Sequence, residues 1–423
     1  MATQKIKPHM LFADAEGKIY DHPELLMLCR RGQEFGLPRP DEITPLPAES
    51  ELFLLPGRRA VGLDPETGAV EAIEETAVAA FVCPGFTSTG LAAYLTDKSP
   101  DAPTLPLFSY TAVGYAAGRF WACSKKVDED QRQVFTGISR RRIQDGGREW
   151  LNRFPKNRLV QHLMRCALTS CCPAARNLCL GRFEAPLPTA RTCNAACLGC
   201  LSLQPSDSGF PATQSRLDFR PEPKEIVEIM LRHGERESRP IFSFGQGCEG
   251  EPLTEAATIA AAIRGFRERG GTGTVNINTN ASLPDQAPLL AAAGLDSIRV
   301  SLNSAREPLY TAYYRPKSYH FSDVRQTIIE AKTAGLFVSL NFLYFPGVSD
   351  TEEEFEALSG LIEDTKLDFI QLRNLNLDPE LYLKLVGNAV QLGPAMGFVN
   401  FKKRLRKTFE RLRFGYFNPY LGK

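Results

Sequence analysis

The chain has 423 residues, 43% of them hydrophobic, and a formal net charge of +1. This length can supply the cores of two or three domains, and the near-neutral charge gives no overall attraction to polyanionic partners. No apolar run reaches membrane-spanning length and the first residues lack a signal-peptide pattern, so we expect a cytoplasmic protein with no membrane partner. In a reducing compartment, its eleven cysteines favour metal binding or catalysis over disulfides.

Four regions are predicted in chain order. Residues 1–125 place short apolar runs between Pro and Gly turns, which predicts a β-rich or α+β domain. Residues 126–185 predict a helical connector that contains cysteines. Residues 186–380 alternate strand and helix patterns, and residues 381–423 predict a basic amphipathic helical extension.

The alternating region predicts an α/β fold built on a parallel sheet with helices outside it. Five strands are legible in the sequence, and a sixth is expected immediately before a cysteine-rich loop. We therefore expect a partial (β/α)6 barrel similar to a TIM barrel as the core of the chain.

Polar side chains alternate along four of these strands, although buried parallel strands are normally almost entirely apolar. A polar-lined cavity on the inner face would explain them, and mutual pairing within an ordinary core is the alternative. The polar residues that share a face on their strands are Asn276, Asn278, Asn280, Arg299, Ser301, Asn303, Ser339, Asn341, Gln371 and Arg373.

The most specific motif is Cys193-Asn-Ala-Ala-Cys197-Leu-Gly-Cys200, with the spacing C-x3-C-x2-C. A structural zinc site usually has four protein ligands, and no second close pair of ligands accompanies this loop. Three thiolates can instead bind three irons of a [4Fe-4S] cluster, which leaves the fourth iron open.

This motif, before a predicted (β/α) barrel, resembles the radical SAM superfamily over about residues 186–380. The resemblance implies a [4Fe-4S] cluster on Cys193, Cys197 and Cys200, with S-adenosylmethionine chelating the open iron. It further implies reductive cleavage of S-adenosylmethionine to methionine and a 5′-deoxyadenosyl radical, which abstracts hydrogen from a substrate. A reductant such as flavodoxin or ferredoxin is the implied partner.

Further motifs carry the same resemblance and imply a binding site for S-adenosylmethionine. "GQGCEGEPL" follows a predicted strand, and its Gly250-Glu251-Pro252 is similar to the family's Gly-Gly-Glu element, which receives the methionine amino group. The polar residues at the ends of the next strands are the other implied contacts: Asn280, Ser301, Asn303 and Asn341. One departure is Gly199, where the family usually has an aromatic residue against the adenine, so we expect Phe345 to supply part of that contact.

Four cysteines lie upstream of the motif: Cys166, Cys171, Cys172 and Cys179. They are candidates for an auxiliary iron–sulfur cluster, and buried structural thiols are the alternative. Adjacent side chains diverge on a helix or strand, so Cys171 and Cys172 are difficult to join to one cluster. Cys248 is interpreted as inert or structural, and the lone His162 is given no role.

The substrate is left open between a small molecule, a peptide or protein, and RNA, and no residue is assigned as catalytic. Arg299, Gln371 and Arg373 are candidates to bind an anionic or amide-bearing substrate. Alternative hypotheses are an RNA- or protein-modifying radical SAM enzyme with an auxiliary cluster, and a non-catalytic iron–sulfur or zinc protein. The basic C-terminal segment keeps RNA contact open, although a solvated helix face is the simpler interpretation.

Overall fold

The computed structural model describes residues 6–97 and 102–422. Antiparallel strands dominate its N-terminal part, and a parallel sheet with helices dominates the rest. This arrangement confirms the predicted α/β mix of elements. None of the helices in the described ranges is long and apolar enough to cross a membrane.

The strands that precede the first helix are β1 (His9–Ala13), β2 (Ile19–Met27), β3 (Cys29–Arg31), β4 (Glu34–Gly36), β5 (Thr44–Pro45), β6 (Glu51–Leu63), β7 (Val70–Phe81), β8 (Phe86–Ser88), β9 (Leu91–Ala92), β10 (Tyr94–Thr96), β11 (Val113–Ala116), β12 (Arg119–Ala122) and β13 (Ser124–Lys126). They pair antiparallel in three sheets, in the orders β10-β6-β2-β1-β11-β12-β5, β13-β8 and β4-β3-β9, and β7 pairs with both β1 and β6. The long β6–β7 hairpin turns where the Asp64 carboxylate accepts a hydrogen bond from the backbone N–H of Glu66 (2.8 Å), a local device that favours a turn over continued strand.

Three helices connect this part to the parallel sheet: α1 (Arg140–Arg153), α2 (Arg158–Leu168) and α3 (Pro173–Leu180). Asn157 caps α2, because its side-chain oxygen accepts a hydrogen bond from the N–H of Val160 (2.9 Å). Helix α3 begins at Pro173 and is followed by Gly181, whose φ of 64° is the left-handed conformation that glycine adopts without strain at the end of a helix.

The parallel sheet has seven strands whose spatial order is their order in the chain. They are β14 (Glu184–Pro186), β15 (Ile241–Phe244), β16 (Thr274–Thr279), β17 (Ser297–Leu302), β18 (Phe337–Tyr344), β19 (Phe369–Asn374) and β20 (Arg413–Gly415). The other helices are α4 (Pro223–Gly234), α5 (Ala256–Arg267), α6 (Gln286–Ala293), α7 (Glu307–Tyr314), α8 (Phe321–Thr333), α9 (Glu352–Thr365), α10 (Pro379–Ala389) and α11 (Phe398–Thr408). Each strand of this sheet is placed next to the preceding one on the same side. Because crossovers between parallel strands are right-handed, the connecting helices then all lie on one face of the sheet, and the other face is free of them.

Strand β20 is an addition to the fold expected from the sequence, which predicted only a helical extension over residues 381–423. Arg413–Gly415 pair in parallel with Phe369–Gln371 of β19. A strand of three residues is too short to show alternation of apolar and polar residues, so the pattern in the sequence could not reveal it. The helical part of the extension consists of most of α10 and of α11, which buries Phe401 and Leu405 against the outside of the sheet.

The polar residues of the inner face divide into two layers. Deep in the sheet, Asn276 donates hydrogen bonds to Ser243 Oγ (3.2 Å) and Asn278 Oδ1 (2.8 Å), and it accepts one from Ser297 (2.9 Å). These polar groups hydrogen-bond to one another, which agrees with the alternative interpretation of mutual pairing within an ordinary core. Nearer the carboxyl ends of the strands, the polar side chains line a cavity, as the first interpretation expected.

A buried ion pair joins the N-terminal sheet to the start of α10. Arg58 Nη2 lies 2.9 Å from Asp378 Oδ2, and both side chains are 3% exposed. The same carboxylate accepts hydrogen bonds from the N–H of Leu105 (2.7 Å) and, at the start of α10, from the N–H of Glu380 (2.8 Å). The charge of Arg58 therefore compensates a carboxylate that cannot reach water.

We predict that Arg58→Ala lowers the free energy of unfolding by about 3–5 kcal/mol, because it leaves the Asp378 carboxylate buried without a counter-charge. Urea denaturation followed by circular dichroism measures the change. The adjacent Arg59→Ala is the matched control, since Arg59 is 32% exposed in its ion pairs with Glu74 and Asp97 and should contribute about 0–1 kcal/mol. Equal losses in the two variants would contradict the importance of the buried pair.

Candidate functional site

A cavity of about 450 Å³ opens at the carboxyl ends of the parallel strands. This volume is within the range of ligand-binding pockets, and this end of a parallel sheet is where such pockets form. Most of the residues predicted for cofactor or substrate binding line it: Cys193, Cys197, Cys200, Gly250, Glu251, Pro252, Asn280, Arg299, Ser301, Asn341 and Arg373.

Two of the predicted residues do not border this cavity within the described part of the chain. Asn303 lies just beyond β17 and is 0% exposed; its amide donates to Leu309 O (3.2 Å) and Tyr382 Oη (3.3 Å). Gln371 is also 0% exposed and lies behind Arg299, whose Nη1 donates to its Oε1 (3.0 Å). For Asn303 the cause is that β17 ends at Leu302, so the alternation of its side chains does not extend to residue 303.

The cysteine loop rests on the end of α7. The N–H of Ala196 donates to Tyr314 O (3.1 Å), and the N–H of Leu198 donates to Tyr313 O (2.9 Å). These backbone bonds satisfy carbonyls that the end of a helix leaves free. The loop is therefore held by its own backbone, and its three thiols remain available for ligands.

The electrostatic surroundings of the three thiols differ. Burial, together with the charge of Glu251, raises the pKa of Cys193, and burial beside Cys193 and Cys200 raises the pKa of Cys197. At Cys200, the Arg216 guanidinium donates a hydrogen bond to Sγ (3.3 Å). Arg216 therefore places a positive charge beside this set of sulfurs.

The donors of this cavity fit an iron–sulfur cluster with a polar ligand. Thiolates are the ligands of such clusters. Within the described structure, the sulfurs of Cys193, Cys197 and Cys200 do not all lie within 4.8 Å of one another. This spacing suits ligands that bind separate irons of a cluster. Three lining residues also carry buried polar atoms without a hydrogen-bond partner in the described structure: Arg299 Nε, Tyr314 Oη and Asn376 Oδ1. Buried polar atoms are rarely left unpaired, so these are available to a polar ligand.

Glu249 connects the loop after β15 to the segment that leads into the cysteine loop. Its buried carboxylate accepts hydrogen bonds from the backbone N–H groups of Thr189 (2.7 Å), Ala190 (2.8 Å) and Gln246 (2.7 Å). Burial raises the pKa of Glu249 to about 7, against the effect of these amides. Sequence analysis did not identify this residue, because Thr189 and Ala190 are about sixty positions away in the chain.

Gly250 and Glu251 continue this contact between the loops. The N–H of Gly250 donates to Ala190 O (2.8 Å), and the N–H of Glu251 donates to Thr192 O (2.9 Å). A Cβ on Gly250 would lie 1.9 Å from Thr192 O, so only glycine permits this approach.

The Glu251 carboxylate is itself partly satisfied by the chain. It accepts hydrogen bonds from Leu253 N (3.0 Å), Asn280 N (2.8 Å) and the hydroxyl of Thr279. Burial raises the pKa of Glu251 to about 7. Since a carboxylate accepts about four hydrogen bonds, capacity remains for one donor from the cavity.

Two other predicted contacts join neighbouring elements. Asn280 donates to Asn194 Oδ1 (2.9 Å) and so ties the end of β16 to the cysteine loop. Ser301 and Asn341 lie opposite each other on β17 and β18, with Asn341 Nδ2 3.4 Å from Ser301 Oγ. Asn194 was not singled out in the sequence, although its position inside the cysteine motif was a signal for it.

Gly199, the expected departure from the family pattern, faces Tyr313. A Cβ on Gly199 would lie 2.4 Å from Tyr313 Oη, so the tyrosine hydroxyl occupies the space that a side chain at position 199 would need. Tyr313 lines the cavity, whereas Phe345 is 1% exposed and packs on Tyr382 with ring centroids 4.8 Å apart. The expectation that Phe345 supplies the aromatic contact is corrected, because the chain turns inward after β18 and buries that ring.

Two arginines form the cationic side of the cavity. Burial and the neighbouring charge of Arg373 lower the pKa of Arg299 to about 9. The Arg373 guanidinium lies 4.1 Å from the ring centroid of Tyr416 and donates to Tyr416 O (3.2 Å). Two guanidinium groups that repel each other favour an anion between them.

The four upstream cysteines do not meet at one place. Cys171 is exposed and has a left-handed backbone (φ 53°), and Cys179 is buried on α3 with its Sγ 3.5 Å from Met164 Sδ. Cys166 and Cys172 line the cavity, and Cys248 lies beside Cys166. A cluster held by Cys166, Cys171, Cys172 and Cys179 is therefore not the arrangement in the structure, because adjacent residues 171 and 172 face opposite ways and α3 directs Cys179 into the core.

The sequence profile described as the radical SAM superfamily matches residues 187–358. This match covers the cysteine loop, the glycine loop and strands β15 to β18. This profile describes a superfamily of enzymes that use a [4Fe-4S] cluster and S-adenosylmethionine, and the matched segment covers about two fifths of the chain. No curated protein matches the chain.

Several solved structures show distant similarity. They include native anSMEcpe with bound AdoMet (15% identity, 46% of this chain and 51% of that chain, TM-score 0.36), Streptococcus suis SuiB bound to S-adenosylmethionine (14%, 70% and 68%, 0.38), and a radical SAM methyltransferase from Sphaerobacter thermophilus (16%, 55% and 66%, 0.36). The chain spans about half the length of the anSMEcpe structure.

We predict that Gly250→Ala separates the two loops, because its Cβ cannot lie 1.9 Å from Thr192 O. The free energy of unfolding should fall by about 1–3 kcal/mol, and the iron bound after anaerobic reconstitution should fall with it. Gly360→Ala, on α9 with nothing within 4 Å of the new Cβ, is the control and should be neutral or stabilising by about 0.5–1 kcal/mol. Full iron content in Gly250→Ala would show that the loop contact is dispensable.

Proposed function

We propose that this chain, a radical SAM enzyme by the domain at residues 187–358, binds its [4Fe-4S] cluster through Cys193, Cys197 and Cys200 and acts on a substrate held in the same cavity. The observation that carries the proposal is the convergence of three half-buried thiols, a glycine loop and unpaired polar atoms on one cavity. When bound, the cluster and S-adenosylmethionine supply reductive cleavage to methionine and a 5′-deoxyadenosyl radical that abstracts hydrogen. An external one-electron donor such as flavodoxin or ferredoxin is the proposed partner.

The surroundings of the three thiols determine how metal binding depends on pH. Burial keeps Cys193 and Cys197 protonated in the absence of metal, as their raised pKa values indicate. Metal binding then releases these protons, so cluster assembly should be favoured by higher pH. Arg216 offsets part of the negative charge at Cys200.

The cofactor contacts follow from the free hydrogen-bonding capacity of the lining residues. Glu251 retains room for one donor, which suits a protonated amino group, and a cation there would lower the raised pKa of this carboxylate. Gly250 and Pro252 bring the backbone of the same loop to the cavity wall. Ser301 and Asn341 offer polar groups from β17 and β18, and Asn280 holds the cysteine loop against them.

Tyr313 is the proposed replacement for the aromatic residue absent at position 199. Its ring lies in the cavity wall beside the loop, and its hydroxyl fills the space at Gly199. Burial raises the pKa of Tyr313 well above its usual value, so the side chain stays neutral and suits contact with a neutral base.

A partial barrel is the proposed shape of the parallel sheet. Asn418 donates to Glu184 Oε1 on β14 (2.8 Å) and accepts from Gln371 Nε2 on β19 (2.9 Å). In a flat sheet these strands would lie about 24 Å apart, since five steps of about 4.8 Å separate them. A single side chain that contacts both strands supports strong curvature of the sheet, with Asn418 inside it.

We propose the predicted domain division with one change at the C-terminus. The antiparallel sheets of residues 1–125 and the helices of 126–185 support the first two regions. Because β20 pairs with β19, residues 409–418 are grouped with the barrel region of 186–380, and the helical extension of 381–423 is limited to α10 and α11.

An anionic substrate is proposed for the side of the cavity formed by Arg299 and Arg373. Two guanidinium groups in one wall of the cavity favour a carboxylate or phosphate between them. Gln371 orients Arg299 through its amide oxygen. The cavity is too small to admit a folded protein or RNA whole, so a small molecule or one group of a larger substrate would enter it.

We predict that the triple variant with Cys193, Cys197 and Cys200 changed to Ser loses about four irons per chain. After anaerobic reconstitution, dithionite and S-adenosylmethionine should yield 5′-deoxyadenosine and methionine with the wild-type chain and neither product with the variant. Cys179→Ser is the control, since that thiol lies in the core away from the loop. An iron-loaded wild-type chain that forms neither product would overturn the proposed function.

We predict that phosphate stabilises the wild-type chain at constant ionic strength and that Arg373→Ala abolishes this effect, because an anion that binds only the folded state raises its stability. The unfolding midpoint in phosphate is compared with that in chloride by differential scanning fluorimetry. Arg411→Ala, which removes an exposed charge, should keep the phosphate effect. An unchanged phosphate effect in Arg373→Ala would remove Arg373 from the substrate site.

A further inference from the structure

Three metal-binding side chains outside the cysteine motif converge beside the cavity. His162, Cys166 and Cys248 each offer one ligand atom, and these atoms all lie within 4.8 Å of one another. The side chains are buried, with exposed fractions of 7%, 7% and 4%. Within the described ranges, this is the one group of histidine, cysteine and acidic residues that meets this distance.

The fold places the three donors without help from a ligand. His162 and Cys166 are four residues apart on α2, so they lie on one face of the helix, and His162 Nε2 is 3.5 Å from Cys166 Sγ. Cys248 comes from the loop after β15, where its carbonyl accepts a hydrogen bond from Leu217 N (2.8 Å). The neighbouring Glu249 fixes the same loop to residues 189 and 190.

The spacing distinguishes a single ion from an iron–sulfur cluster. A tetrahedral zinc ion has bonds of about 2.3 Å to sulfur and about 2.0–2.1 Å to nitrogen, which separates sulfur from nitrogen by about 3.5 Å and sulfur from sulfur by about 3.8 Å. The observed separation of 3.5 Å between His162 Nε2 and Cys166 Sγ agrees with this value. Ligands of a cluster bind different irons and are therefore farther apart.

One further thiol lies near these donors, outside the group whose ligand atoms are all within 4.8 Å of one another. Cys172 lies in the cavity wall with Cys166 and Cys248, and its N–H donates to Cys166 O (3.1 Å). The adjacent Cys171 is exposed and directed away. Three cysteines and one histidine are a common set of ligands for structural zinc.

We propose that His162, Cys166 and Cys248 bind one tetrahedral zinc ion, that the side chain of Cys172 turns toward them to become the fourth ligand, and that the ion fastens α2 and α3 to the glycine loop. This site is separate from Cys193, Cys197 and Cys200, and the proposal does not depend on the proposed function. It uses two of the upstream cysteines, Cys166 and Cys172, for a single ion in place of an auxiliary cluster.

The experiment measures zinc, iron and sulfide per chain in the full protein expressed with zinc, both wild type and with Cys193, Cys197 and Cys200 changed to Ser. Both proteins should hold about one zinc ion per chain. Adding Cys166→Ser, Cys248→Ser or Cys172→Ser should reduce zinc at least tenfold after dialysis against a weak chelator. Cys171→Ser and Cys179→Ser are the matched controls and should keep it.

X-ray absorption at the zinc edge of the wild-type protein tests the ligands even where a variant fails to fold. We expect three sulfurs at about 2.3 Å and one nitrogen at about 2.0–2.1 Å. Zinc that persists in Cys166→Ser or Cys248→Ser, or its absence from the folded triple variant, would overturn the proposal. Iron with equimolar sulfide in the triple variant would replace the single ion with an auxiliary cluster and would overturn it equally.

Discussion

The buried carboxylate of Glu249 is the contact on which the rest of the site depends. It joins two segments about sixty residues apart by accepting N–H groups from both, and the glycine loop and the cysteine loop follow directly from these two segments. A carboxylate with a pKa raised to about 7 is poorly solvated, so its stability rests on those amides. Together with the backbone hydrogen bonds of Gly250 and Glu251, this side chain fixes the glycine loop and Cys248 against the segment that leads into the cysteine loop.

The parts of the fold and site that the sequence predicted are those with local patterns. Strands β15 to β19 were legible because strand and helix periodicities alternate, and the cysteine loop was legible because its spacing spans only eight residues. Ser301 and Asn341 were found by alternation along their strands, and the same rule misplaced Asn303 because β17 ends one residue earlier.

The parts that the sequence did not predict depend on contacts between distant segments. Asn418 lies 234 positions from Glu184, and Cys248 lies 82 positions from Cys166, so no window along the chain contains either pair. His162 is an intermediate case. Its spacing of four residues from Cys166 was visible, but helical spacing alone does not distinguish a ligand from a packed histidine.

The contact between Gly199 and Tyr313 constrains how the cysteine motif of this chain differs from the radical SAM pattern that it resembles. A Cβ at position 199 and the tyrosine hydroxyl at position 313 cannot occupy the same space, since they would lie 2.4 Å apart. The two positions must therefore change together: a chain with an aromatic residue before the last cysteine needs a smaller or differently directed residue on α7. A motif search that requires that aromatic residue would overlook every chain that made this exchange.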